Sequence, residues 1–380
     1  MERTNAYSLL DFLDNSPCNF FATATIQRYL DDNGFQELKQ SERWNLEKGG
    51  KYYVKKNDTA IFGFVIGETP LDQSGFNMIS AHSDSPCFRI KPNPEMLADG
   101  VLKLNTEVYG GPILYTWFDR PLSLAGRVIV RNPQNPARPI TRLIDFASPV
   151  LIIPHLAIHF NRNVNAGNPL SKQKDMLPIA AIVSDSMSKN NFLIDQIKER
   201  LEIADSKDIL DFDLMLYNCQ KSQLVGFNKE FICSGRIDDL SMAHAALSAL
   251  LNSDNPATTK VMAIFDNEET GSGTKQGAAS PVLASILHRV STCMGLDDEG
   301  FYQALSRSFL VSADNAHAAH PNYPEKYDPT NHPKMGGGPV IKINANCKYM
   351  TEAHSSAIFK EVCHAANVPC QYFVNHSDVA

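Results

Sequence analysis

The sequence has no Cys-x-x-Cys pair; its eight cysteines (Cys18, Cys87, Cys219, Cys233, Cys293, Cys347, Cys363 and Cys370) are scattered. That spacing suggests neither a zinc ribbon nor a compact disulfide framework, and leaves the thiols as reduced packing residues. No apolar run approaches the ~20 residues needed to span a bilayer. The N-terminal "MERTNAYSLLDFLDNSPCNF" has acids inside its apolar part and no small-residue cleavage site, so the default expectation is a cytoplasmic chain with no membrane partner. Positive charge is also scarce. With a net charge of -7 and no basic run, the chain lacks the concentrated positive surface that nucleic acid demands. "GSGT" at 271–274 and "GGGP" at 336–339 do not fit the phosphate-cradling GxxxxGK[ST] pattern, and no GxSxG offers a serine nucleophile.

What is present is a 380-residue chain, 43% hydrophobic and 20% charged, long enough for about two domains. "AYSLLDFLDNS", "CNFFATATIQRYLDDNG", "LSMAHAALSALL" (240–251) and "SSAIFKEVCHAAN" (355–367) have helical spacing. "AIFGFVIGE" (60–68), "GFNMISAHSD" (75–84), "KVMAIFD" (260–266), "SFLVSAD" (308–314) and "PVIKINA" (339–345) are short β-like runs. Strands alternating with helices predict an α/β fold with a mostly parallel central sheet flanked by helices. Between them, residues 95–229 differ in character: "LYTWFDRPLSLAGRVIVRN", many prolines and a helical "NNFLIDQIKERLEI" read as a β-rich domain inserted between a first part (1–94) and a second part (230–380) of the α/β domain.

Four polar clusters sit at predicted strand ends or before a helix: His82 and Asp84 in "SAHSDSP", Asp238 and Asp239 in "GRIDDLSMAH", Asp266, Glu268 and Glu269 in "FDNEETGSG", and Asp314 with His317 in "SADNAHAAH". Ligands of open α/β sheets gather outside the carboxyl ends of the strands. A carboxylate two residues from a histidine can fix the ring of a metal ligand, although a capped loop uses the same pair. Asp238 and Asp239 equally suit a helix N-terminus. Adjacent glutamates after a buried strand are harder to explain without a cation, because an unpaired buried carboxylate costs several kcal/mol. Their side chains point apart, so one can ligate while the other acts as base. An oxygen-rich set with one imidazole suits a pair of zinc, cobalt or manganese ions. His288 and His364, within helical patterns, read as structural.

The blocks "AHSDSPCFRIKP", "YGGPILYTWFDRPLSLAGRV", "IPHLAIHFNR", "RIDDL", "FDNEETGS", "SADNAHAAHPNY" and "GGGPVIKINANCKY", in that order, resemble the aspartyl aminopeptidases, a family of dinuclear zinc exopeptidases. The resemblance implies hydrolysis of N-terminal Asp or Glu from peptides, two Zn2+ ions per subunit, and a β-rich insertion that helps build a homo-oligomer, a dodecamer. Carried over by position, it implies His82 and Asp314 on one zinc, Glu269 on the other and Asp238 bridging, with Asp84 orienting His82 and Glu268 as general base. Lys342 is expected to pair with the substrate's acidic side chain, and His317 and Tyr349 to contact substrate. His159, with His155 as an alternative, is expected to reach a neighbouring subunit's site.

The family's remaining zinc ligand is a histidine beyond a Gly-Ser-Thr stretch, whereas this sequence stops at "YFVNHSDVA", with His376 before that place. The expectation is therefore a chain shorter than the family with one metal site incomplete. Two other readings compete with acidic specificity: a related dinuclear aminopeptidase of broader or neutral specificity, and a catalytically silent oligomer subunit.

Overall fold

The computed structural model describes residues 2–183, 190–254 and 256–378. Two compact units divide at Ala313/Asp314. In chain order, the first unit contains β1 (Gln36–Glu37), β2 (Lys51–Lys56), β3 (Ala60–Val65), β4 (Phe76–His82), β5 (Cys87–Ala98), β6 (Val101–Tyr109) and β7 (Leu122–Val130). It continues through β8 (Ile140–Asp145), β9 (Ile179–Ile182), β10 (Ile209–Asn218), β11 (Gln223–Val225), β12 (Phe231–Cys233), β13 (Thr259–Phe265) and β14 (Phe309–Ser312).

The first six-stranded sheet has the order β1-β2-β3-β13-β4-β14. Pairing is parallel between β1 and β2, β13 and β4, and β14 and β4, and antiparallel where β3 meets β2 and β13. The α/β fold with a mostly parallel central sheet is thus as the sequence predicts. Side chains alternate strictly between two cores, as period-2 geometry requires. Phe62, Phe64, Val261 and Ala263 face a core shared with Ile286, Val290 and Phe301 from the helices Val282–Cys293 and Asp298–Ser306. Ile61, Val65, Met262 and Ile264 face the other core, with Phe12, Ile26, Leu30 and Leu247 from the helices Glu2–Asp14, Asn19–Asp32 and Ile237–Leu251. Gly63 lets the last helix approach, since a Cβ there would lie 2.7 Å from Cδ2 of Leu250.

A second sheet, order β8-β7-β10-β5-β6-β9, is antiparallel throughout and packs Leu193 and Ile197 of the helix Phe192–Arg200 over its own core. Its strands start at Cys87, so the expected boundary at residue 95 falls inside β5, and that at 229 falls in the turn between β11 and β12. β5 leaves the first sheet just after β4, and Tyr109 at the end of β6 pairs with Cys87 at the start of β5. The β5–β6 pair therefore brings Tyr109 back beside the point where the chain left β4.

The second unit, described by itself, pairs β15 (Val340–Ile343) in parallel with β16 (Gln371–Val374), joined by the helix Ala353–Ala365. A Glu352–Ser355 capping box starts that helix. Among the described residues no helix is long and apolar enough to cross a membrane.

Candidate metal centre

Parallel pairing aligns the ends of β4 and β13: Phe265 lies opposite His82, and Ser83 N donates to Phe265 O at 2.9 Å. β14 ends at the same edge, with Ala313 N donating to Ser80 O at 2.8 Å, and Asp314 is the next residue. Three of the four clusters read from the sequence thus follow neighbouring strand ends. The fourth enters through the helix Ile237–Leu251, which packs against β3, β4 and β13.

The His82 ring has two distinct sides. Nδ1 lies 3.0 Å from Asp84 O and 3.3 Å from Asp84 Oδ1, and Nε2 faces Asp238 Oδ1 at 3.7 Å, Asp239 Oδ2 at 3.9 Å and Glu268 Oε2 at 3.9 Å. These latter separations exceed hydrogen-bond length. They are near the ~3.3 Å expected between ligand atoms that each sit about 2 Å from one tetrahedral zinc ion. His82, Asp238 and Asp239 each offer a ligand atom within 4.8 Å of the others. One imidazole nitrogen among carboxylate oxygens is a donor set that fits a divalent cation.

The neighbouring aspartates differ. Asp239 is fully buried and its Oδ2 accepts from His82 N at 3.0 Å, fixing the end of β4. The Asp238 side chain is 57% exposed on the Nε2 side of the ring, and the peptide between the two is cis.

Asp84 is the hub. Its carboxylate, buried in the fold, accepts from Tyr109 Oη at 2.7 Å and from the backbone N–H groups of Glu268 and Glu269 at 3.2 Å each, besides facing His82. Burial penalises its charge, but His82 and Tyr109 outweigh that and hold the carboxyl below its ordinary range. Burial likewise disfavours a charged His82, yet Asp84, Asp239 and Glu268 lift the imidazole to about 9. The pocket favours a positive charge at this ring, which a bound cation would supply. Burial pushes Glu269 up to about 7 against the attraction of His82, with Asp84, Asp238 and Glu268 adding to the rise.

The acidic triplet separates on folding. Glu268 and Glu269 lie in a 3-10 turn that holds their N–H groups on Asp84. Asp266 instead points inward: Oδ1 accepts from Asn19 Nδ2 at 3.0 Å and Asn267 N at 2.8 Å, and Oδ2 from Gln276 Nε2 at 3.4 Å. It is a structural carboxylate, raised in pKa by burial.

In the second unit, Lys342 Nζ donates to Asp314 Oδ2 at 2.9 Å and Asn315 O at 2.8 Å, and lies 5.6 Å from the Tyr349 ring centroid. The sequence requires a partner for this strand lysine, and the chain itself supplies one. His317 is exposed, 6.4 Å from the Phe373 ring. In the first unit, His159 is exposed in a short 3-10 turn, whereas His155 is anchored by Asp119 and stacks edge-on at 4.6 Å from Phe118.

Sequence reasoning overlooks Tyr109 and Asn267. Tyr109 Oη accepts from Asn267 Nδ2 at 2.8 Å while donating to Asp84. Burial, with Asp84 and Asp266 nearby, pushes its pKa well above the ordinary value, so the hydroxyl keeps its proton. The glycines that follow Tyr109 are the only local signal of a site residue there.

The family pattern of the aminopeptidase I zinc metalloproteases (M18) matches residues 12–380. A probable M18 family aminopeptidase 2 of Clostridium novyi (strain NT) is 51% identical over 374 residues, 98% of this chain and 86% of that protein. One from Pseudomonas aeruginosa (strain UCBPP-PA14) is 41% identical over 372 residues, 98% and 85% of the respective chains. Among solved structures, the Ape4 and Nbr1 complex superposes with TM-score 0.94 at 35% identity, covering 100% of this chain and 76% of that one. The S. cerevesiae mApe1 dodecamer superposes with TM-score 0.84 at 25% identity, covering 97% and 84%.

Proposed function

The chain belongs to the aminopeptidase I zinc metalloproteases (M18), and from that premise we propose that it removes acidic residues, Asp or Glu, from the N-termini of peptides. The observation that carries the metal-dependent part of this reading is the two-sided His82 ring, Nδ1 on Asp84 and Nε2 toward Asp238, Asp239 and Glu268. Of this chain's residues, His82, Asp238, Glu269 and Asp314 are proposed to hold zinc. Bound zinc supplies water activation and polarisation of the scissile carbonyl.

The protein's own groups do the rest. Asp84 keeps the proton of a neutral His82 on Nδ1 and the lone pair on Nε2. Glu268, 54% exposed and on the Nε2 side of that ring, is the general base: it takes a proton from the attacking water and returns it to the leaving amine. Lys342 attracts the substrate's acidic side chain, and His317, Tyr349 and His159 contact substrate, His159 from a neighbouring subunit. The inserted segment 95–229 is read as the assembly element of a homo-oligomer, a reading supported by the dodecameric arrangement in the description of one similar structure.

The Lys342–Asp314 pair favours a second reading, in which Lys342 is already neutralised and the enzyme prefers neutral N-termini. Release of the first residue from peptides beginning with Asp, Glu or Leu, with and without a zinc chelator, separates the two. Chelator-sensitive cleavage favouring Asp and Glu supports acidic specificity; a preference for Leu supports the second reading; chelator-resistant cleavage contradicts both.

A further inference from the structure

The Tyr109 hydroxyl is held in one direction. A carboxylate only accepts, so the hydroxyl proton goes to Asp84 Oδ2 at 2.7 Å. Asn267 Oδ1 already accepts from Thr274 Oγ1 at 2.8 Å and Gln276 Nε2 at 2.9 Å, so the Asn267 NH2 faces Tyr109 and donates to it at 2.8 Å. Both partners control one turn. Asn267, at φ +64°, immediately precedes the 3-10 turn Glu268–Thr270, and Asp84 receives the Glu268 and Glu269 N–H groups. The next residue in the corner is also fitted to that turn: Gly110 has φ +70°, and a Cβ there would come within 3.0 Å of Glu269 Cβ and 3.1 Å of its Oε2. Tyr109 thus brings the end of a second-sheet strand to a turn on the first sheet.

We propose that the Tyr109–Gly110 corner is the positioning element of the Glu268–Glu269 turn, acting through Asp84 and Asn267 to set where the two carboxylates point. The inference rests on the reading of Glu268 as the base. Loss of the hydroxyl leaves the Asn267 amide without its acceptor and Asp84 without its shortest hydrogen bond, so Asp84 holds the turn through two N–H contacts of 3.2 Å alone. Tyr109 is a positioning residue, since it acts on the base through other groups.

The test is Tyr109→Phe in the full chain. In zinc-free protein, hydrogen exchange at the Glu268 and Glu269 amides is expected to accelerate about tenfold, while the β13 amides stay as protected as in the wild type. In the zinc-loaded enzyme, kcat is expected to fall about 10- to 100-fold with KM within about twofold. In a Glu268→Gln background the same change should have almost no further effect on kcat, the non-additivity of residues acting through one group. Gly110→Ala, which crowds Glu269 directly, should lower kcat similarly and carries the test should Tyr109→Phe not fold. Wild-type exchange at the turn, an unchanged kcat, or additive losses in the double variant would overturn the proposal. Wild-type turnover in Glu268→Gln alone would instead sink the reading of Glu268, and the exchange result would still decide the role of Tyr109.

Discussion

Asp84 Oδ1 lies 3.3 Å from His82 Nδ1, and that contact decides which face of the imidazole is available to a cation. With Nδ1 tied to Asp84, the lone pair of a neutral ring is on Nε2, toward Asp238, Asp239 and Glu268.

Asp84→Asn should therefore weaken zinc binding without removing any ligand. An amide turns one acceptor oxygen into an NH2 that meets the donors of His82, Tyr109, Glu268 or Glu269. Substitution of such outer partners typically costs about 10- to 100-fold in metal affinity or activity. Competition with a chromogenic chelator measures it, and wild-type affinity would count against the hub role.

Glu268→Gln should abolish turnover while zinc content stays that of the wild type, because glutamine accepts no proton yet keeps the side chain's shape. Loss of a general base costs about 10²- to 10⁴-fold in kcat. Steady-state hydrolysis alongside elemental analysis provides the check; turnover at the wild-type rate removes Glu268 from the role.

Much of this arrangement is legible in the sequence, because apolar strands ending on acids mark the carboxyl edge of a sheet, where His82 ends β4, Asp84 follows it, and Glu268 and Glu269 follow β13. Spacing alone does not divide the work among neighbours. Asp238 and Asp239 read alike, yet one is half exposed and the other buried against the His82 backbone. Asp266 reads with the glutamates, but is satisfied by Asn19, 247 residues away in sequence. Tyr109 reaches Asp84 from a different sheet, so its contribution depends on the return of β6 to β5 rather than on any local pattern. The Lys342–Asp314 pair similarly joins residues 28 apart, and no periodicity announces it.

Lys342→Ala should depress cleavage after N-terminal Asp and Glu by roughly 2–5 kcal/mol in transition-state binding, the cost of leaving a substrate carboxylate without its cation. A Leu substrate reports the separate effect of releasing Asp314. Comparison of kcat/KM across the substrates decides, and equal losses for Asp and Leu would deny Lys342 a part in specificity.

Thiol chemistry should follow burial. Cys18 packs with Phe20, Ala125 and Met215, and burial pushes its thiol up to about 12, whereas Cys233 and Cys347 are exposed. A raised pKa keeps the folded thiol protonated, and hence unreactive, through the window from its ordinary value of 9.0 up to about 12. Maleimide labelling at pH 9 followed by peptide mapping should mark the exposed cysteines and spare Cys18 until the protein is denatured. Rapid native labelling of Cys18 would contradict its packing.

The central claim is that a cation sits on the Nε2 side of His82 among carboxylates, and anomalous diffraction at the zinc absorption edge from zinc-loaded crystals tests it most directly. The account predicts a zinc peak about 2.0–2.1 Å from His82 Nε2, with a carboxylate of Asp238 beside it and Asp84 still on Nδ1. A zinc peak on the Asp84 side of the ring, or none at His82 in fully loaded protein, would contradict it.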